Sequence, residues 1–135
     1  FRLDGAHAKG ASHHQKIVVV DDALAFCGGI DMTGSRWDTR DHRHADRRRR
    51  RPTTGRRYAP WHDATMAVSG DAAAALGELG RERWQAACGE ALEPPPPCQP
   101  AWPDCLPPML EDVPVAIART RGAAAGLEEV REIEA

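Results

Sequence analysis

The sequence contains no long hydrophobic run, and none of its apolar stretches approaches the ~18 to 20 residues that a membrane-spanning helix needs. Its net charge is also small, at −2 for 135 residues, which excludes a chain that binds nucleic acid through overall positive charge. The first residue is not Met, and no signal-peptide pattern follows it. The opening letters, FRLDGAHAKG, do not look like the natural start of a domain. We therefore expect a fragment of a longer protein that is cytoplasmic and at most peripheral at a membrane.

Cysteine is scarce in this chain. Cys27, Cys88, Cys98 and Cys105 are too few and too scattered for a disulfide scaffold, and no Cys-x-x-Cys pair suggests a zinc site. The cysteines favour a reduced, intracellular chain, with a Cys98–Cys105 bridge as the alternative. No acidic cluster has the spacing of a magnesium or calcium site. We therefore expect no metal and no cofactor.

Positive charge is concentrated in one segment. Five consecutive arginines, Arg47 to Arg51, lie between residues 33 and 60, a polar stretch without hydrophobic periodicity that predicts a long loop. Such a run is most often a solvated loop. The alternative is attraction to anionic lipid headgroups, worth about 1 kcal/mol for each basic residue near a membrane.

Three stretches have the composition of β-strands. The β-branched run HQKIVVV, residues 14–20, predicts a buried strand, DDA turns the chain, and LAFCGGI, residues 24–30, predicts a second strand. We expect these two strands to pair as a hairpin. WHDATMAVSG, residues 61–70, predicts a third strand, in which Asp63 and His62 lie on opposite faces.

The segment GDAAAALGELGRERWQAACGE, residues 70–90, predicts a helix. Asp71 can cap its start and Gly89 can end it. A stripe of residues at helical spacing is expected to be buried, with Cys88 beside it as a core thiol. The stripe comprises Ala73, Leu76, Gly80, Trp84 and Ala87.

A proline-rich stretch then divides the chain. Residues 91–112 include ALEPPPPCQPAWPDCLPP and predict an extended linker. After it, VPVAIART at 113–120 predicts a strand, and GLEEVREIEA at 126–135 predicts the opening of a helix. The predicted fold class is α/β, with a mixed β-sheet flanked by helices, in an incomplete half-domain. Residues 1–90 form one unit, and residues 113–135 begin a second.

The residues best suited to chemistry lie at the start of the first predicted strand. His14 and Lys16 are two positions apart, so on a strand their side chains project to the same face. A neutral imidazole can attack phosphorus to form a phosphohistidine, and a nearby ammonium stabilises the negative charge on the phosphoryl oxygens. Because Lys supplies that charge, no metal is needed. A His and a Lys alone on a strand are more often simply solvent-facing.

The wider pattern around this pair is more specific. It has the spacing H-x-K-x4-D-x6-G-G and comprises His14, Lys16, Asp21, Gly28 and Gly29. At average residue frequencies, a chance match is on the order of 1 in 10,000. The pattern resembles the signature of the phospholipase D superfamily. The phrases GGIDMTGSRWDT, PWHDATMAVSGDAAAAL and RERW resemble the first half of the larger, two-motif phospholipases D, and the resemblance covers residues 13–89.

The resemblance implies three catalytic residues. His14 would be the catalytic imidazole and Lys16 would bind the substrate phosphate. Asp63 would accept a hydrogen bond from the imidazole, which sets the tautomer and stabilises the imidazolium.

The resemblance also implies a substrate-phosphate pocket. Gly28 and Gly29 lack a Cβ atom, so the main chain there can approach a ligand closely. Asp31 falls where smaller family members carry an Asn at this pocket, and an ionised Asp cannot donate a hydrogen bond as an Asn does. Asp21 would be structural.

The resemblance implies an incomplete active site as well. The family builds one site from two halves, in which one His attacks phosphorus and the other protonates the leaving alcohol. This sequence has one such motif, so residues 1–90 would be the C-terminal part of a first catalytic half and residues 113–135 the start of a second. A small member that completes its site as a homodimer and an inactive remnant are the alternatives.

The reaction implied is hydrolysis of a glycerophospholipid at a membrane surface, giving phosphatidic acid and a headgroup alcohol. Phosphatidyl transfer of the cardiolipin synthase type, metal-independent nuclease activity and phosphate binding without turnover are the alternatives. The GGID, RWD and PWHD phrases favour lipid, so no nucleic-acid partner is expected.

Overall fold

A computed structural model describes residues 1–98, 102–124 and 127–133 of the chain. Three strands form one sheet in the order β1 (Lys16–Val20), β2 (Leu24–Gly28) and β3 (Thr65–Ser69), and helix α1 (Asp71–Cys88) packs on one face of that sheet. The predicted incomplete α/β half-domain is confirmed. Within the described residues, both pairings of this sheet are antiparallel and one helix covers it, where a mixed sheet flanked by helices was expected.

The predicted hairpin forms between β1 and β2. Its register pairs Lys16 with Gly28, and the turn that joins the strands includes Asp21 and Asp22. These two residues have φ angles of 51° and 54°. That left-handed region is more accessible to Asp than to most other residues, so the DD pair suits a tight turn between two β-branched strands.

The core lies between the sheet and α1. Ala25 of β2 and Ala73 and Leu76 of α1 are buried, each no more than 4% exposed. Ile17 of β1 packs against them. Because side chains alternate along a strand, its neighbour Lys16 points to the opposite face of the sheet. The fold therefore places Lys16 away from the helix.

This core is small for the length of the chain. A compact monomer of 14.7 kDa exposes about 6,900 Å² of surface. This chain exposes 10728 Å², and large apolar side chains such as Met66 contribute to it. Such an excess of exposed surface is expected of one part of a larger packed unit.

Helix α1 agrees with the prediction except at its start. The helix begins at Asp71, but the capping position is Gly70 and no side chain caps the first turn, so the predicted Asp71 cap is wrong. Asp71 instead lies in the first turn, where a negative charge interacts favourably with the helix dipole. Gly89 ends the helix in a left-handed conformation with φ 76°, as predicted.

The buried side of α1 is shorter than the predicted stripe. Ala73 and Leu76 are buried as expected, but the third buried position is Gly77 rather than Gly80, which is exposed. Cys88 is exposed, so the predicted core thiol is wrong. A helix of 18 residues is about 27 Å long and a strand of 5 residues about 17 Å, so the last turns of α1 extend past the sheet.

The cysteines are all free. Cys98 and Cys105 are both exposed thiols, so the alternative of a bridge between them is wrong. Cys27 alone is partly shielded, and it packs against the core from β2.

Beyond the proline-rich stretch the chain departs from the predicted elements. The strand expected at 113–120 is reduced to its last residue, in β4 (Thr120–Arg121), which pairs antiparallel with β5 (Val130–Arg131). The helix expected at 126–135 is wrong over 127–133, where the chain forms the second arm of this small hairpin. Its remaining positions lie outside the described residues.

The arginine-rich segment is a loop, as predicted, but it is not uniformly solvated. Arg49 is completely buried. Its Nη1 donates to Oδ1 of Asp38 at 2.5 Å, and its Nη2 donates to the main-chain oxygen of His44 at 2.7 Å and to that of Arg43. The expectation of a solvated loop is therefore wrong for Arg49, because a guanidinium with several fixed acceptors can be buried at low cost.

Candidate functional site

Lys16 is the first residue of β1 and lies at the centre of the candidate site. Its side chain is 14% exposed. The ammonium lies 3.0 Å from the main-chain oxygen of His14 and 3.2 Å from Oδ1 of Asp31. The structure therefore brings together two of the residues that the sequence assigned to phosphate binding.

Asp31 also forms an ion pair with Arg36, a residue that was not assigned to the site from the sequence. Its Oδ2 lies 3.3 Å from Nη2 of Arg36, so the carboxylate bridges an ammonium and a guanidinium. The guanidinium of Arg36 is also 3.9 Å from the ring centre of Trp61, which is a close cation–π contact. We refer to Lys16, Asp31, Arg36 and Trp61 as the cation cluster.

The cation cluster keeps Asp31 ionised. The hydrogen bond with the Lys16 ammonium is the largest influence on the pKa of Asp31, and the charges of Lys16 and Arg36 add to it; together they outweigh partial burial and hold the pKa below its ordinary value. At neutral pH the carboxylate therefore only accepts hydrogen bonds, and it neutralises one of the two neighbouring positive charges.

His14 lies just before β1 and is exposed. Its main-chain oxygen accepts from Lys16, but among the described residues its imidazole makes no hydrogen bond. The side chain lines a cavity of about 840 Å³, whose other walls are the N-terminal segment, α1 and the β4–β5 hairpin. The imidazole is therefore accessible and lies two residues before Lys16 in the chain, and no partner among the described residues fixes its tautomer.

Asp63 does not meet His14 in this conformation. Oδ1 of Asp63 accepts from the amide of Ala64 at 2.8 Å, and the carboxylate lies against Gly29, where the missing Cβ leaves space for it. No hydrogen bond joins Asp63 to His14 in the part of the chain that the structure describes. Because β3 begins only at Thr65, the strand alternation that was expected to orient Asp63 does not yet apply at its position.

The missing Cβ atoms of Gly28 and Gly29 allow a close approach of the main chain, as expected. What approaches them here is the segment of this chain that leads into β3. A Cβ at Gly28 would lie 2.5 Å from the main-chain oxygen of Ala64. The pair is therefore needed where the chain enters β3, and a role toward the substrate phosphate stays a prediction.

Asp21 lies in the β1–β2 turn and is exposed. The ion pair at this turn is made by the next residue, since Oδ2 of Asp22 lies 2.7 Å from Nη1 of Arg81 on α1. That contact joins the hairpin turn to the helix, and no pattern in the sequence predicts it.

Arg36 is the main site residue that the sequence analysis missed. It lies in a loop, where no periodicity predicts the direction of a side chain. The available indication was its place in GGIDMTGSRWD, five residues after Asp31, in a chain with two further tryptophan-bearing phrases nearby. An arginine between a carboxylate and an aromatic ring is a common arrangement, because its planar group can pair and stack at once.

Neither a metal site nor a membrane-spanning helix is found among the described residues. Within residues 1–98, 102–124 and 127–133, no group of three or more His, Cys, Asp or Glu side chains could hold a metal ion. In the same ranges, α1 is too polar to cross a bilayer and no other helix is long and apolar enough to do so.

Comparison with curated proteins finds relatives named phospholipase D. Several of the matches are short: phospholipase D1 of Homo sapiens is 49% identical over 35 residues, 26% of this chain and 3% of that protein. Phospholipase D1 of Schizosaccharomyces pombe is 58% identical over 31 residues, 23% of this chain and 2% of that protein. A phospholipase D of Phytophthora infestans is 28% identical over 105 residues, 58% of this chain and 6% of that protein.

The chain thus spans only a few per cent of the length of these relatives. No solved structure matches it. A family model described as phospholipase D matches residues 2–94, which is more than half of the chain and includes His14, the cation cluster and α1. The chain therefore belongs to the phospholipase D family.

Proposed function

We propose that this chain supplies one half of a phospholipase D-type active site that hydrolyses glycerophospholipids to phosphatidic acid and a headgroup alcohol. The observation that carries the proposal is the position of the Lys16 ammonium. It is hydrogen-bonded to the main chain of His14 at 3.0 Å and holds an anionic oxygen of Asp31 at 3.2 Å. An anion-binding group is therefore held by the main chain of an exposed histidine two residues before it.

His14 acts as the nucleophile in this proposal. An imidazole nitrogen forms a bond to phosphorus while the bond from phosphorus to the headgroup oxygen breaks, which gives a phosphohistidine. The headgroup leaves as an alcohol after it receives a proton. Water then attacks phosphorus, the P–N bond breaks, and phosphatidic acid and free imidazole are produced. Lys16 stabilises the negative charge on the phosphoryl oxygens in both steps.

The proton for the leaving alcohol comes from a second half of the site. We propose that this half lies in the same longer chain, with residues 1–90 as the C-terminal part of the first half, residues 91–112 as a linker and residues 113–135 as the start of the second half. A homodimer partner is the alternative. The small core and the large exposed surface support either arrangement, because both cover apolar surface that this chain leaves open.

Asp63 completes the proposed half-site. Its carboxylate accepts a hydrogen bond from the His14 imidazole when substrate is bound, which requires it to leave the Ala64 amide that it contacts at 2.8 Å. Catalytic hydrogen bonds often tighten only in the substrate complex. The Asp63 side chain is exposed, so this movement is not blocked by packing.

The substrate class in this proposal is a phospholipid at a membrane surface rather than a nucleic acid. The relatives are named phospholipase D, and the chain carries a net charge of −2. A nucleic-acid diester would be an equal match for the His14–Lys16 chemistry alone, so the choice of lipid depends on the family and not on these two residues.

The test is phosphatidylcholine hydrolysis in the presence of EDTA, measured as released choline, with the oligomeric state followed by light scattering. His14→Ala is compared with His44→Ala, a matched change at an exposed loop histidine. We expect activity from a homodimer, or from this chain fused to a second H-x-K half of a curated relative. In the homodimer or the fusion, His14→Ala should abolish choline release and His44→Ala should not. Activity that survives His14→Ala contradicts the proposal.

A further inference from the structure

The cation cluster contains more positive charge than one carboxylate can satisfy. Asp31 has two oxygens, and each is used once: Oδ1 by the Lys16 ammonium at 3.2 Å and Oδ2 by Nη2 of Arg36 at 3.3 Å. The cluster therefore has a net charge of +1. Lys16 and Arg36 are only 14% and 24% exposed, whereas Asp31 is 42% exposed, so a dissolved anion can reach the two cations from the side that Asp31 occupies.

Arg36 also has an unused donor in this cluster. Its Nη1 donates to Oγ of Ser35 at 3.1 Å and its Nη2 to Asp31, whereas its Nε is buried and has no hydrogen-bond partner among the described residues. Nε and Nη2 lie on the same edge of a guanidinium, the edge that binds two oxygens of one anion. One oxygen of Asp31 accepts from Nη2 on that edge, and its other oxygen is held by Lys16. Nε, the second donor of the edge, is therefore left without an acceptor among the described residues.

A phosphodiester matches these donors better than a carboxylate does. Its tetrahedral phosphoryl group presents two charged oxygens together with ester oxygens, so it can accept from Lys16, Nη2 and Nε at the same time. An arginine is suited to this task because its donors are fixed in one plane. The stacking of Arg36 on Trp61 at 3.9 Å holds that plane in place.

We propose that Arg36 is a second phosphate-binding residue, that it binds the substrate phosphate together with Lys16, and that the Asp31 carboxylate occupies this position until the substrate displaces it. This inference rests on the proposed function for the identity of the substrate, but the anion site itself is defined by Lys16, Asp31, Arg36 and Trp61. Asp31 then acts as a resident competitor, which keeps two cations in place and weakens the binding of anions that cannot displace it.

The test is a titration of the chain with diethyl phosphate, a soluble phosphodiester, followed by NMR. The side-chain Nε–H signal of Arg36, identified by its loss in Arg36→Lys, reports directly on the unused donor. Diethyl phosphate should shift this signal. Asp31→Asn removes the competing charge and should tighten binding by about threefold or more. Arg36→Ala should weaken it by about threefold or more, because it removes a charged donor pair.

The matched control is Arg40→Ala, which removes the same charge from an exposed position in the same loop. If Arg40→Ala weakens binding as much as Arg36→Ala, the effect is one of general charge and the inference is overturned. If Asp31→Asn weakens binding, Asp31 is part of the binding surface rather than a competitor, and the inference is overturned in that form as well.

The same titration separates this inference from the proposed function. His44→Ala, at an exposed loop histidine outside the cation cluster, should bind diethyl phosphate as the unmodified chain does. Arg36-dependent binding without His14-dependent hydrolysis would leave the anion site standing and reject the proposed reaction. His14-dependent hydrolysis with a normal response in Arg36→Ala would reject the anion site and leave the reaction standing.

Discussion

The sheet–helix unit and the arginine-rich loop are held together by different kinds of contact. The first, formed by β1 to β3 and α1, has a buried core of small and medium apolar side chains, among them Ala25, Ala73 and Leu76. The loop between β2 and β3 has no such core. At its centre is the buried guanidinium of Arg49, which donates to Asp38 and to two main-chain oxygens.

The difference matters because the candidate site takes residues from both regions. Lys16 belongs to the sheet–helix unit and is positioned by strand alternation, while Arg36 and Trp61 belong to the loop. Asp31, three residues after β2, connects the two. The geometry of the site thus depends on hydrophobic packing on one side and on directed polar contacts on the other, and the two supports can be removed separately.

The largest effect is expected from a change in the core. Leu76→Ala removes the largest buried side chain between α1 and the sheet, which is 4% exposed. Such a truncation costs about 2 to 5 kcal/mol in free energy of unfolding. Because the total stability of a domain is about 5 to 15 kcal/mol, this core leaves little in reserve. Urea denaturation followed by circular dichroism of α1 measures the loss.

The matched control for that change is Leu110→Ala, at a leucine that is 74% exposed. It should leave the urea midpoint within experimental error, since little surface is removed from a buried environment. Equal effects of the two changes would mean that the core described between α1 and the sheet does not provide the stability of this unit.

The sheet–helix unit is also the region that the sequence predicted best. β1 lies in a run of β-branched residues, and α1 lies in an alanine-rich segment with helical periodicity. Both elements form where these patterns predict them. The errors there came from features without a periodicity. Whether Asp71 or Gly70 occupies the cap is a difference of one residue at the helix start, and Gly77 rather than Gly80 is buried because Gly77 lies against Asp22 of the β1–β2 turn.

The loop and the site could be predicted only in part. The H-x-K-x4-D-x6-G-G pattern identified Lys16, the family resemblance identified Asp31 two residues past its glycines, and these two residues do meet. Arg36 and Arg49 could not be found, because their partners are 5 and 11 residues away in irregular chain. In a run of five arginines, nothing local distinguishes the one that is buried from its solvated neighbours.

Arg49→Lys should open the loop while the sheet–helix unit stays folded. A lysine keeps the charge but lacks the planar fork that reaches Asp38 and two main-chain oxygens together. Hydrogen bonds to charged groups contribute about 1.5 to 3 kcal/mol each, so protection of loop amides from hydrogen exchange should fall about tenfold or more. The amides of Arg51 and Gly55, which donate to loop carbonyls at 2.9 and 2.8 Å, are suitable reporters.

Arg47→Lys is the matched control, because Arg47 is exposed in the same run. Its loop amides should keep their protection. If amides of α1 lose protection in Arg49→Lys to the same extent as those of the loop, the two regions are one cooperative unit. Their two kinds of contact then cannot be removed separately.

Acid should also disrupt the arginine-rich loop at a higher pH than the sheet–helix unit. Burial raises the pKa of Asp38, but hydrogen bonds from the Thr39 amide and from Arg49 outweigh it, so the net pKa is lowered. A lowered pKa stabilises the folded loop above the unfolded-state value of about 3.9, and this contribution is lost as the pH falls further. The indole NMR signals of Trp37 and Trp61 should therefore hold steady from neutral pH to about 5 and shift below about 4.

The main-chain amide signal of the buried Leu76 on α1 is the internal reference for that titration. It should move at lower pH than the two loop signals, since the packing of α1 does not depend on Asp38. Simultaneous movement of all three signals would show that the loop has no separate acid transition.

The smallest effect is expected where the β1–β2 turn meets α1. Asp22→Asn removes the charge that Nη1 of Arg81 contacts at 2.7 Å, and a partly exposed ion pair of this kind contributes about 1 kcal/mol or less. Asp21→Asn is its natural control, because both residues have a positive φ angle that Asn also tolerates. Only Asp22→Asn should lower the urea midpoint. A larger effect of Asp21→Asn would restore the structural role that the sequence pattern assigned to Asp21, and it would mean that the turn is stabilised from within rather than by its contact with the helix.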